Sequence, residues 1–202
     1  MCLFDEDFKN KIICGIDEVG RGPLAGPVVA AAVILPEGFC FDGIKDSKKL
    51  NREKIKETAC LIKKSAISYA ISLRCNKFID NNDILTATFR AMEEAVSKLS
   101  VKPDLILVDG NQKIPNIKDI PQKSIVKGDS SVLIISAASI IAKDFRDALM
   151  EDYGQIYPCY GFEHHKGYGT KKHLSSIQKY GICEIHRKSF LTNISIAEQR
   201  LL

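Results

Sequence analysis

The run Cys14-Gly15-Ile16-Asp17-Glu18-Val19-Gly20-Arg21-Gly22-Pro23-Leu24-Ala25-Gly26-Pro27 decides how the rest of the chain is read. An apolar stretch, residues 12–16, leads straight into two adjacent carboxylates; a glycine-framed arginine and a second apolar run, residues 28–35, follow. Two acids at the end of a core strand are poor packing material, because buried charge is costly unless paired or metal-bound. Glycines on both sides of Arg21 let the backbone itself come close to another molecule. Two readings stand side by side. One is a metal site at Asp17 and Glu18 beside a backbone-lined pocket for a sugar-phosphate chain; the other is a β-hairpin whose turn is charged and glycine-rich.

Working outward, 202 residues with 45% hydrophobic and 27% charged content make one domain with a substantial core. No apolar run reaches the roughly 18–20 residues that span a bilayer. The first seven residues are acidic and lack the basic and apolar regions of a signal peptide. The expectation is a cytoplasmic protein without a membrane partner. Seven cysteines, an odd number with no C-x-x-C pair, argue for reduced thiols and against a structural zinc site. A net charge of +4 tolerates a nucleic-acid partner without requiring one. Basic residues gather in two places: Lys45, Lys48, Lys49, Arg52, Lys54 and Lys56, and then His164, His165, Lys166, Lys171, Lys172 and His173. A solvated helix face is the ordinary meaning of either cluster.

Periodicity predicts strands over residues 12–16, 27–35, 66–73, 104–108 and 122–126. It predicts a helix over 51–64, with Asp46-Ser47 as a cap pair ahead of it, and a longer one capped by Asp80 or Asn82, with Leu85, Thr88, Met92, Ala95, Val96 and Leu99 along one side. A long helix over 131–153 is apolar nearly all round in its first half, as a helix buried between layers would be. Two short helices, near 171–180 and 194–201, complete a helical C-terminal extension. Helix followed by strand is the signature of parallel pairing.

Three separate strand ends terminate in acids: Asp17-Glu18, Asp109 and Asp129. Sites in α/β sheets gather at strand ends, where neighbouring strands bring distant residues together. Asp129 has a second reading, as the N-cap of the buried helix. Four carboxylates in one place repel one another unless cations neutralise them, and an all-oxygen site suits magnesium or manganese. Two such ions would clamp the attacking and leaving oxygens of a phosphodiester displacement. Adjacent strand residues point to opposite faces, so the strand is expected to end or bulge at Glu18.

These residues fall within a set of motifs that together resemble the bacterial type 2 ribonucleases H, specifically the ribonuclease HII family. The motifs are G-I-D-E-V-G-R-G-P-L-A-G-P at 15–27, D-S-K-K-L at 46–50, I-L-T-A-T at 84–88 and V-D-G-N at 108–111. They continue with K-G-D at 127–129, S-A-A-S-I-I-A-K at 136–143, H-K-G-Y-G-T at 165–170 and I-H-R-K-S-F at 185–190. The resemblance implies an α/β, ribonuclease H-like fold: a five-stranded mixed sheet flanked by helices. It divides the chain into a catalytic domain, 1–155, and a helical extension, 156–202, carrying the H-K-G-Y-G-T loop.

The resemblance further implies a metal-dependent endoribonuclease with magnesium or manganese as cofactor. Its substrates would be RNA–DNA hybrids and duplex DNA containing single ribonucleotides, cut to leave 5′-phosphate and 3′-hydroxyl ends. Asp17, Glu18, Asp109 and Asp129 match the family's metal-binding carboxylates. Gly20, Arg21 and Gly22 match the motif whose backbone meets the ribose 2′-hydroxyl, and Tyr168 matches the tyrosine that packs on the next sugar. Ser47, Lys48 and Lys166 are candidates for phosphate contacts, which hold register without reading sequence. A monomer is expected, and residues 199–202 are too little to support contact with a replication clamp. One departure stands out: Asp83 precedes I-L-T-A-T, where the family commonly has asparagine. It either adds repulsion toward phosphate or merely caps a helix.

Overall fold

The computed structural model describes residues 10–40 and 51–192. Five strands form one sheet: β1 (Ile13–Val19), β2 (Val28–Ile34), β3 (Ser68–Arg74), β4 (Leu105–Asp109) and β5 (Gln122–Ile125). Their spatial order is β3-β2-β1-β4-β5. The β1–β2 and β2–β3 pairs are antiparallel, and the β1–β4 and β4–β5 pairs are parallel. β2, Val-Val-Ala-Ala-Ala-Val-Ile, is buried at every position, as an interior strand covered on both faces must be.

Helices cover both faces. They are α1 (Arg52–Ser65), α2 (Asn76–Asn81), α3 (Ile84–Ser97), α4 (Gly128–Ser131), α5 (Leu133–Ile156), α6 (Phe162–His165), α7 (Lys171–Tyr180) and α8 (Lys188–Leu191). One face of the sheet packs Val29, Ala31, Val33 and Leu107 against α1 and the apolar first half of α5. The other packs Cys14, Ile16, Ala30, Ala32, Ile106 and Val108 against Ala91, Met92 and Ala95 of α3. Alternation along β1 and β4 therefore sorts their side chains between the α5 side and the α3 side. A third cluster, Ala25, Met150, Tyr160, Phe162 and Ile185, joins the C-terminal part to the end of α5 and the loop after β1.

Close approach of α5 to β1 rests on one residue. A methyl group placed on Gly15 would stand 2.4 Å from the carbonyl oxygen of Ile134. Strand and helix backbones touch there, and only glycine leaves room.

The caps differ from those expected. Asp46-Ser47 lies outside the described residues, and Asn51 caps α1 by accepting from the Lys54 amide at 2.9 Å. Neither Asp80 nor Asn82 caps α3. Asp83 does, in extended conformation, accepting from the Thr86 amide at 2.8 Å and the Thr86 hydroxyl at 2.6 Å. Asp80 instead receives the amides of Lys188 and Ser189, tying α2 to α8. Asparagine and aspartate cap equally well, so the departure at Asp83 is a cap-for-cap exchange. The long helix also starts later than predicted, because a separate turn, α4, precedes it. The helix expected at 194–201 lies outside the described residues.

Candidate active site

The chain carries its acids to one end of the sheet. Asp17 is 4% exposed on the α5 side of β1. Its Oδ1 accepts from the Glu18 amide at 2.7 Å, and the nearby Ser139 hydroxyl of α5 favours its ionised form. Asp109 is the last residue of β4, on the same side, and its Oδ1 accepts from the Asp129 amide at 3.1 Å. Asp129 is 6% exposed in the first turn of α4; its Oδ1 accepts from the Ser130 hydroxyl and its carbonyl from the Ser136 hydroxyl. It is not the cap of the buried helix: Lys127 precedes α4 and Val132 precedes α5. A methyl on Gly128 would meet Ile135 Cδ1 at 2.6 Å and Asp109 Oδ1 at 3.3 Å, so the glycine of K-G-D lets α4 close over Asp109.

Glu18 overturns the expectation of a bulge. β1 runs unbroken to Val19, paired with β2 through Asp17↔Ala31, Glu18↔Ala30 and Val19↔Val29. Asp17 and Glu18 do point to opposite faces. They can still share a site because the parallel ladder to β4 stops at Ile16↔Val108, leaving the end of β1 uncovered on that edge. Glu18 there meets the Arg21 guanidinium at 3.4 Å.

Electrostatics confirm that these carboxylates act on one another. Burial, then Glu18, then Asp109 push the Asp17 carboxyl well above the usual range, against the hydrogen bond from Ser139. Burial also raises Glu18; the Arg21 charge opposes this and Asp109 adds to it. An all-oxygen donor set under mutual repulsion fits a hard divalent cation, which removes the penalty that raises both groups. Among the described residues, no three acidic, histidine or cysteine side chains already stand gathered as a ligand cluster. The acids share a sheet end without forming a finished cage.

Beside them lies the glycine-framed turn. Gly20 is buried at φ +92°, a conformation that L side chains rarely adopt, whereas Arg21 and Gly22 are exposed. A methyl on Gly22 would stand 3.7 Å from the ring of Tyr168, which is 47% exposed. The turn and the tyrosine, 146 positions apart in sequence (168 − 22), thus form one surface.

Other expected contacts fall differently. Ser47 and Lys48 lie outside the described residues, as do Lys45 and Lys49. The Lys166 ammonium is already held, by Glu151 at 2.8 Å and by the Glu163 carbonyl at 2.5 Å, so the lysine braces its own loop. Two histidines of the second basic cluster are drawn into the interior instead. His165 and His173 stack at 4.5 Å between ring centres, and His173 Nε2 lies 3.1 Å from Nε2 of His186. His173 Nδ1 bonds the Tyr168 carbonyl, while His186 Nδ1 accepts from the Cys183 amide. Burial lowers all three histidines, His173 to about 4.

A lowered folded pKa makes the neutral rings a source of stability. It is complete above the unfolded value, about 6.5, and is lost as pH falls toward the folded values. We therefore expect the melting temperature to drop by several degrees between pH 7 and pH 5. His173→Gln should flatten that slope; an unchanged slope would sink the idea.

Two further residues matter to the site without a clear sequence signal. Arg146 and Arg187 are both 0% exposed. Arg146 donates to the carbonyls of Pro27, Ala25 and Lys166. Arg187 donates to those of Gly26, Arg21 and Gly20. The signal was an arginine among small and apolar residues on α5, and another within I-H-R-K-S-F. Ser139, on the face of α5 that meets the sheet, carries no signal in sequence beyond its helical spacing.

Comparison with known proteins agrees with this geometry. The family described as ribonuclease HII matches residues 14–193. Ribonuclease HII of Endomicrobium trichonymphae is 50% identical over 190 residues, covering 93% of this chain and 90% of its own. That of Clostridioides difficile is 53% identical over 195 residues, covering 95% and 76%. The crystal structure of ribonuclease H2 from Pyrococcus horikoshii superposes with a TM-score of 0.77 at 26% identity, covering 93% of this chain and 97% of that one. With its five-stranded mixed sheet in a ribonuclease H-like fold and a family match across nearly all its length, the chain belongs to the ribonuclease HII family of RNA–DNA hybrid endoribonucleases.

Proposed function

We propose that this chain hydrolyses the RNA strand of RNA–DNA hybrids and cuts on the 5′ side of ribonucleotides embedded in duplex DNA, leaving 5′-phosphate and 3′-hydroxyl ends. The observation that carries the reading is the juxtaposition of two different tools at one sheet end. Mutually repelling carboxylates of Asp17, Glu18 and Asp109 stand beside the Gly20–Gly22 turn and Tyr168.

Asp17, Glu18, Asp109 and Asp129 would hold magnesium or manganese, two ions during the reaction, with side-chain adjustment drawing the four together. Bound there, such ions supply a hydroxide-forming water site and neutralise charge on the reacting phosphate oxygens. The protein's own share is positional. The Glu18 amide holds the Asp17 carboxylate with Ser139 nearby, the Asp129 amide holds that of Asp109, and α4 closes the far side. The 2′-hydroxyl distinguishes RNA from DNA at any single nucleotide, and backbone groups at Gly20–Gly22 read it without reading a base. The exposed Tyr168 ring packs on the following sugar, where a further 2′-hydroxyl would be unwelcome. The part of the chain from residue 156 onward serves as the half of the site that contacts the deoxyribose side, and the enzyme works as a monomer.

The test is to map the cut in duplex DNA containing one ribonucleotide, with magnesium or manganese present. A nick on the 5′ side supports the reading, and stepwise digestion from a 3′ end overturns it. Tyr168→Ala should slow cutting at the single ribonucleotide on the order of tenfold, the size of a lost aromatic stacking contact, with less effect on a long hybrid. Equal losses on both substrates would remove the tyrosine from junction recognition.

A further inference from the structure

A chain does not bury two guanidinium groups for nothing, since each loses several kcal/mol of hydration. The acids that act on them, Asp147 on Arg146 and Asp80 on Arg187, do so through space. Desolvation dominates, lowering Arg146 to about 10 and Arg187 to about 9. Their hydrogen bonds go to backbone carbonyls, and the two targets are not equivalent. Arg146 holds the far end of the loop, at Ala25 and Pro27, and ties it to Lys166. Arg187 holds the glycine-framed turn itself: Nη2 to the Gly20 carbonyl at 2.6 Å, Nη1 to the Arg21 carbonyl at 2.8 Å and Nε to the Gly26 carbonyl at 2.9 Å.

Peptide planarity turns this into a statement about the surface. In a trans peptide the C=O and N–H of one unit point in opposite directions, and no described peptide is cis. The unit whose carbonyl is that of Gly20 carries the Arg21 amide, and the unit whose carbonyl is that of Arg21 carries the Gly22 amide. Pulling both carbonyls inward onto a buried guanidinium aims both amides away from it, toward the exposed side of Arg21 and Gly22. A cation on the carbonyl oxygen also polarises the peptide and makes its N–H a stronger donor. Phe190 covers the Arg187 guanidinium at 5.1 Å from its ring centre, so the fork is seated from below as well.

We infer that Arg187 is a positioning residue for sugar recognition: it presents the Arg21 and Gly22 amides, preformed and polarised, as donors to a ribose 2′-hydroxyl oxygen. This rests on the reading of Gly20–Gly22 as the sugar-reading turn. It adds that the discrimination is set from beneath, by a side chain that never touches the substrate.

The test compares binding of duplex DNA with one ribonucleotide against the same duplex with a 2′-fluoro nucleotide, since fluorine is a poor acceptor. Calcium replaces magnesium so that affinity is read without turnover. The unaltered chain should prefer the 2′-hydroxyl. Arg187→Lys should reduce that preference about fivefold, the worth of one ordinary hydrogen bond. Arg146→Lys, which also costs a buried guanidinium with three carbonyl bonds, should reduce it much less. If the unaltered chain shows no preference, the reading of the turn is wrong and this inference falls with it. If it does, but Arg187→Lys keeps the ratio or both variants lose it equally, only the role of Arg187 is overturned. Should the lysine variant not fold, the unaltered chain supplies a second readout. The Arg187 guanidinium signals and the Arg21 and Gly22 amide signals should shift together on adding the ribonucleotide duplex. Amides that move while the guanidinium stays fixed overturn the assignment.

Discussion

Asp17→Asn is expected to abolish cutting and, at the same time, to raise the melting temperature of the metal-free protein. The carboxylate is nearly fully buried and is charged against Glu18 and Asp109, with burial the largest part of the cost. Asparagine keeps the shape and a carbonyl oxygen for the Glu18 amide while removing the charge. The sign follows from the raised pKa. Below the unfolded value, about 3.9, Asp17 is protonated in both states and carries no penalty. As pH rises from there toward the raised folded value, the unfolded chain ionises while the folded state holds its proton, and stability falls. The advantage of asparagine should therefore grow from acid toward neutral pH. A gain of about 1 kcal/mol would appear as roughly 2–4 °C in a chain of this size.

Magnesium should reverse the order. A ligand that binds only the folded state stabilises it by mass action, so the melting temperature of the unaltered chain should climb with magnesium and that of Asp17→Asn much less. Loss of cutting should be at least 10²–10³-fold, roughly the cost of one charge-stabilising group in an active site. Near-normal cutting, or a metal-free variant that melts lower than the unaltered chain, would remove Asp17 from the metal site.

Gly15→Ala is expected to destabilise this chain strongly. The new carbon would sit 2.4 Å from the Ile134 carbonyl oxygen and 2.8 Å from the Ile135 amide nitrogen, both backbone atoms that cannot rotate away. Strand and helix must separate, which opens a void along the face where Val29, Ala31, Ile135 and Ala138 pack. Overpacking of this kind costs about 3 kcal/mol, equivalent to a drop of roughly 6–12 °C. Function should fall with it, because the same approach of α5 brings Ser139 to Asp17. A thermal scan with a circular-dichroism readout decides the matter; a melting temperature within 2 °C or so of the unaltered chain would show that the two backbones are not in contact.

Much of this architecture is legible in the sequence. Strand periods predicted all five strands, since a residue buried on both faces leaves a continuous apolar run and a half-buried one leaves alternation. The acids were found because charge at the end of an apolar run is energetically anomalous. Caps were read less well. Asp80, Asn82 and Asp83 are all competent caps, and the choice depends on which of them the distant α8 takes for another purpose. The histidines misled for a related reason. His165 and His173 lie among lysines in sequence, but they stack on each other against Phe162, and burial keeps them neutral.

By itself, the sequence determined the order of the five strands and the four longer helices, the acids at the strand ends, the glycine-framed turn and the family to which the chain belongs. These are local matters: periodicity, residue chemistry and motif spacing survive in one dimension. Tertiary structure alone decided how Asp17 and Glu18 share a site without a bulge, since that depends on where β4 stops beside β1. It alone placed Tyr168 against Gly22 and turned Lys166 inward to Glu151. It alone set Arg187 beneath Gly20 and Arg21, 166 positions away along the chain. Long-range pairing of a buried donor with backbone carbonyls leaves no periodic trace, because carbonyls are present at every residue and only folding selects which of them an arginine meets.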